Sequence, residues 1–110
     1  MSQVFIRIYV DAIQSGMLAD MGAERWHTLT VLACYMDENG VCFPSQSKLA
    51  KDLNMTREAV NRRIQSLLNY RWKGKPILKV EKVPGKSNVY RILDHCGLKF
   101  GGEVATTHRM

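Results

Sequence analysis

The sequence predicts a small α+β domain, mainly α: a three-helix core, a β-hairpin after the last helix, and a short strand and helix before the first. Three observations carry that prediction. Apolar residues recur at helical spacing from Trp26 to Met36, from Leu49 to Leu53 and from Val60 to Leu68. Two β-prone runs, ILKVEKV and NVYRIL, flank the turn-forming PGKS. The chain has 110 residues and is 45% hydrophobic, enough for one compact core and too little for a second. The domain is expected over residues 1–96, with residues 97–110 a flexible tail or the start of a linker.

Val4 to Val10, VFIRIYV, is rich in β-branched and aromatic residues and predicts a short strand. Completing the sheet of the later hairpin within one molecule is its simpler role; edge pairing with a second copy is the other. Asp11 is placed to cap a short helix running to about Leu18. After Gly22, Trp26, Leu29, Ala33 and Met36 recur at helical spacing, with Leu32 and Tyr35 widening the stripe, which predicts a core helix of about four turns. Asn39-Gly40 ends it with left-handed turn chemistry, and VCF then offers a brief extended segment before Pro44.

Ser45 is a good cap for a two-turn helix that buries Leu49, Ala50 and Leu53 and stops at Asn54. Thr56 caps the next helix, whose Val60, Ile64, Leu67 and Leu68 lie on one side. Its opposite side and margins carry Asn61, Arg62, Gln65 and Asn69, amides and guanidinium rather than the Glu/Lys mixture of an ordinary solvent face. RWKGKP reads as a basic, turn-rich connector. Pro84-Gly85 suits the centre of a type II turn. Leu78 and Val80 on one strand, with Tyr90 and Ile92 on the other, would then cover the helices and leave Lys82, Lys86 and Arg91 toward solvent. The final GLKFGGEVATTHRM has paired glycines and no period.

Composition excludes several classes of function. No apolar run is long enough to span a bilayer, and the start has neither the basic leader nor the cleavage site of a secretion signal, so a soluble cytoplasmic protein with no membrane partner is expected. Cys34, Cys42 and Cys96 are odd in number and widely spaced, as reduced thiols are. His27, His95 and His108 supply no zinc spacing, so no metal or other cofactor is expected. There is no phosphate loop, HExxH or GxSxG, which argues against an enzyme, and so small a chain offers little concave surface for a small-molecule ligand.

Charge is more telling than composition. Residues 1–44 hold two basic and five acidic side chains, residues 45–93 twelve and three, and residues 94–110 two and two. The basic field therefore begins where the two closely spaced helices begin, and such a field draws polyanions. Helices joined by a three- to four-residue turn cross steeply, so one props the other outward, and an α-helix has the diameter to enter the DNA major groove. In that arrangement Thr56, Arg57, Glu58, Asn61 and Arg62 face bases or phosphates, Asn suiting adenine and Arg guanine. Ser45, Gln46 and Ser47 sit where free N–H groups meet a phosphate oxygen. Lys82, Lys86, Ser87 and Asn88 of the hairpin would grip the flanking backbone, and Lys73 and Lys75 flank Gly74, where the chain can approach a groove closely. Double-stranded DNA is the expected partner.

Helix, turn, second helix and β-hairpin together resemble the winged helix-turn-helix arrangement. More narrowly, NGVCFPSQSKLAKDLNMTREAVNRRIQSLLN followed by ILKVEKVPGKSNVYRI is similar to the amino-terminal domains of replication initiation and primosome-loading proteins of Gram-positive bacteria, their plasmids and phages. Gly40, Phe43, Pro44, Ser45, Leu49, Ala50, Thr56, Arg57, Val60 and Arg62 fall on that family's recurrent phrase, and the similarity spans about Val4 to Leu93. It implies duplex DNA binding, often as a homodimer, with replication proteins as further partners. The chain departs from the pattern in ending near the linker and in the extended connector YRWKGKPI. A transcription regulator of the same fold, or a winged domain used for docking to protein, are the alternatives.

Overall fold

The computed structural model describes residues 4–82, 84–85, 88–93 and 96–102. In chain order they form β1 (Val4–Ile8), α1 (Asp11–Gln14), α2 (Met17–Met21), α3 (Ala23–Ala33), β2 (Val41–Cys42), α4 (Gln46–Leu53), α5 (Arg57–Asn69), β3 (Arg71–Trp72), β4 (Lys75–Pro76), β5 (Leu78–Glu81), β6 (Val89–Ile92) and β7 (Leu98–Gly102). Helices α3, α4 and α5 surround a core of Leu29, Leu32, Leu49, Val60, Ile64 and Leu67, closed from one side by Leu78, Tyr90 and Ile92 of the hairpin.

Local chemistry sets the boundaries around the turn between α4 and α5. The Ser45 hydroxyl accepts the Lys48 N–H at 3.1 Å, and the Thr56 hydroxyl accepts the Ala59 N–H at 3.1 Å, so each helix has one orphan donor satisfied at its start. Between them Asn54 takes a left-handed conformation, φ 54°, which ends α4 and lets α5 begin three residues later. Across α3 and α5 the polar margin is also fixed: Arg63 pairs with Glu24 at 3.5 Å and meets His27 Nδ1 at 3.2 Å, and Arg25 donates to Ser66 at 3.0 Å. At the far end of α5 the Tyr70 hydroxyl donates to Asp20 at 2.6 Å, with the Arg25 guanidinium over its ring. Residues of α2 and α3 thus hold α5 along one side, while Arg57, Glu58, Asn61, Arg62, Gln65 and Asn69 remain exposed on the other.

The hairpin pairs as its alternation predicts, Leu78 opposite Ile92 and Val80 opposite Tyr90. Its third strand is β2, with Val41 opposite Arg91 and Cys42 opposite Tyr90. This corrects the expectation that Val4–Val10 would complete that sheet. Strand β1 instead pairs antiparallel with β7, from Val4 opposite Gly102 to Ile8 opposite Leu98. Residues 98–102 are thus a strand of the domain, which corrects the expectation of a flexible tail or linker from residue 97. Buried Cys96 and Leu98 anchor the strand to the core, an attachment that a non-periodic sequence does not advertise.

Three smaller differences have simple causes. The helix expected from Asp11 to Leu18 breaks at Gly16, whose φ of 89° starts a second short helix. Helix α3 ends at Ala33, eleven residues rather than four turns, and the following turns bring Met36 into the core without further α-helix. The connector after Tyr70 is itself a two-residue hairpin, β3 with β4, in which Lys73 adopts φ 52°.

Candidate nucleic-acid interface

The link from β2 to α4, the start of α4, the start of α5 and the hairpin converge on one cleft. Pro44, Ser45, Gln46, Ser47, Arg57, Asn88 and Tyr90 line it, around a volume of about 240 Å³. Pro44 and Tyr90 are buried and form its floor, while Ser45, Ser47 and Arg57 stand exposed at its rim. Five residues expected at the site from sequence, drawn from three separate segments, therefore meet in one place. Such a mixture of hydroxyl, amide and guanidinium groups at a helix amino end suits a phosphate oxygen.

Helix α5 supplies the face beside the cleft. Arg57, Glu58, Asn61, Arg62, Gln65 and Asn69 are exposed, opposite buried Val60, Ile64 and Leu67. Among the described residues neither Arg57 nor Arg62 has a hydrogen-bond or ion-pair partner in the protein. Glu58, in the first turn, is placed to complement the helix dipole. Asn61 is not idle: the Gln46 Nε2 donates to its Oδ1 at 3.1 Å, joining the first turn of α4 to the second of α5. Thr56 and Ser45 each use one hydroxyl lone pair to accept a capping bond, which leaves the O–H donor and a second lone pair.

The other expected residues lie elsewhere. Lys73 and Lys75 line a different and larger cleft, about 640 Å³, shared with Tyr9, Val10, Asp11 and Met17, and the Lys73 ammonium sits 5.4 Å from the Trp72 ring centroid. Lys82 is exposed just beyond β5. Lys86 and Ser87 lie outside the described residues. Lys48 is occupied by Asp52 at 3.5 Å, and Asp52 also accepts from the Tyr35 hydroxyl.

Lys79 stands directly opposite Arg91, both exposed, and like charges at paired positions repel one another. The pairing of Leu78 and Val80 with Ile92 and Tyr90 already implies it, because the residues between must face each other on the outer side. The signal was available in the alternation.

These elements define a helix-turn-helix domain with an antiparallel wing, α4 and α5 being its two helices and β5–β6 the wing. Residues 28–72 match a family model described as a helix-turn-helix domain, a span that runs from within α3 through α4 and α5 to β3. No curated protein and no solved structure matches the chain. No described helix is long and apolar enough to cross a membrane.

Proposed function

We propose that this domain binds double-stranded DNA in a sequence-specific manner, with α5 in the major groove and the cleft and wing on the backbone, and that it serves plasmid or phage DNA replication initiation. The observation that carries the binding reading is the convergence of Ser45, Gln46, Ser47, Arg57 and Asn88 on one cleft, with Arg62 exposed further along α5. Twelve basic and three acidic residues in 45–93 support it, since that field attracts a polyanion and the match to a helix-turn-helix family gives it a docking element. The replication role rests on the resemblance of the α4–α5 segment and the wing to initiator domains; a transcription regulator is the runner-up.

The test is duplex binding at several salt concentrations, for the wild type and for Asn61→Ala and Arg62→Ala. Affinity that falls steeply with salt, and falls again in both variants, supports the reading. Salt-independent behaviour with both variants unchanged overturns it. Sequences selected from a random duplex pool then separate the two roles, a repeated array marking an origin and a single palindrome an operator.

A homodimer belongs to the same proposal. Strand β1 has one neighbour, β7, among the described residues, and Phe5, Ile8, Tyr9, Val10 and Ile13 are exposed around it. The same strip favours docking to protein as a second reading. Sedimentation of the isolated chain distinguishes self-association from attachment to a replication protein. We also read the chain as a binding protein and not an enzyme: Cys42 is buried, and burial first, then the charge of Asp37, pushes its thiol up to about 12, far from nucleophilic.

A further inference from the structure

Gln46 and Asn61 belong to different helices, yet their carboxamides touch. Nε2 of Gln46 donates to Oδ1 of Asn61 at 3.1 Å, while Gln46 itself lines the cleft with Ser45, Ser47 and Arg57. A free Asn can turn either end of its amide toward a base, as donor or as acceptor. Here the oxygen is drawn toward α4, so the NH₂ group is the end directed away from it.

We propose that Gln46 is a positioning residue that sets the base preference of Asn61, and that the pair couples phosphate seating to base reading; this rests on the DNA-binding reading above. With its NH₂ outward, Asn61 donates to a major-groove acceptor, N7 of a purine or O4 of thymine, and rejects cytosine, which presents an amino donor at that edge. Among the described residues the second amide hydrogen of Gln46 and its Oε1 have no other partner, and that hydrogen is available to a phosphate in the cleft. A backbone contact at α4 thereby stiffens a reader on α5. Both side chains lie at the surface, Asn61 exposed and Gln46 half-buried, so replacing them leaves the core intact.

The experiment measures wild type, Gln46→Ala, Asn61→Ala and the double variant against a selected duplex and against the three other versions of it at the base pair contacted by Asn61, with an unrelated duplex as reference. The expected result is a wild-type discrimination against cytosine of roughly tenfold or more, reduced to under about threefold in either single variant and no lower in the double. Gln46→Ala that keeps the full discrimination overturns the proposal, as do single effects that simply multiply in the double variant. If the wild type binds no duplex at all, the DNA reading itself fails, a separate and earlier result. Thermal melts within a few degrees of wild type show that the variants are folded.

Discussion

Replacing Gly40 by alanine should destabilise the domain by about 2–5 kcal/mol, whereas the same change at Gly85 should cost only about 1–2 kcal/mol. Both glycines have left-handed backbone, φ 79° and φ 76°, so both alanines carry the same conformational penalty of roughly 1–2 kcal/mol. Their surroundings differ. A Cβ on Gly40 would stand 2.5 Å from the carbonyl oxygen of Ile92, a backbone atom that cannot rotate aside, while a Cβ on Gly85 meets nothing within 4 Å. At the same point the Ile92 N–H donates to the Gly40 carbonyl at 2.8 Å, so relieving the clash displaces the hydrogen bond joining the turn before β2 to the wing strand β6. Overpacking of this kind adds about 1–3 kcal/mol. Urea unfolding followed by circular dichroism reads the difference as a shift of midpoint at constant slope. Equal midpoints for the two variants would refute the claim that Gly40 is there for a close approach as well as for its dihedral angle.

Other outcomes follow from the packing and the polar clamps. Ile64→Ala, at a core position on α5, should cost about 2–5 kcal/mol by chemical denaturation. Thr56→Ala removes the cap of α5 and should cost about 1 kcal/mol in the same assay. Burial first, then the hydrogen bond and charge of Asp20, raise Tyr70 from 10.0 to about 12 against the opposing Arg25. The folded state therefore holds this proton where the unfolded state loses it, so its contribution is complete below pH 10 and disappears as pH rises from about 10 to about 12. In Tyr70→Phe that share of the alkaline loss of stability should be missing from a pH series of melts. Among the three thiols, only exposed Cys34 should label quickly with a maleimide in the native protein, with buried Cys42 and Cys96 following only in urea, as counted by mass spectrometry.

What was legible in the sequence was whatever local chemistry alone decides. Ser45, Asn54 and Thr56 mark the ends of α4 and α5 because capping and left-handed backbone are properties of single residues, and the structure uses each of them in that way. Alternation in ILKVEKV and NVYRIL likewise contained the pairing of Leu78 with Ile92. Strand β7 was not legible, since LKFGG lacks alternation and its partner β1 begins more than ninety residues earlier in the chain. Pairing at that distance is decided by the assembled core, on which Leu98 and Cys96 settle. The same limit applies to the site: the residue types at Arg57, Asn61 and Arg62 were readable from one helix, but the contact between Gln46 and Asn61 exists only once α4 and α5 are packed. It likewise took the fold to separate Lys73 and Lys75 from the cleft at the start of α4.

The most direct test is to titrate the isotope-labelled chain with a duplex recovered by selection and to map the amide resonances that move. The largest changes are expected at residues 45–47, along 57–65 of α5 and at Asn88, with little effect on β1 and α1. Perturbation concentrated on β1 and α1, with the exposed side of α5 unaffected, would contradict the DNA-binding reading.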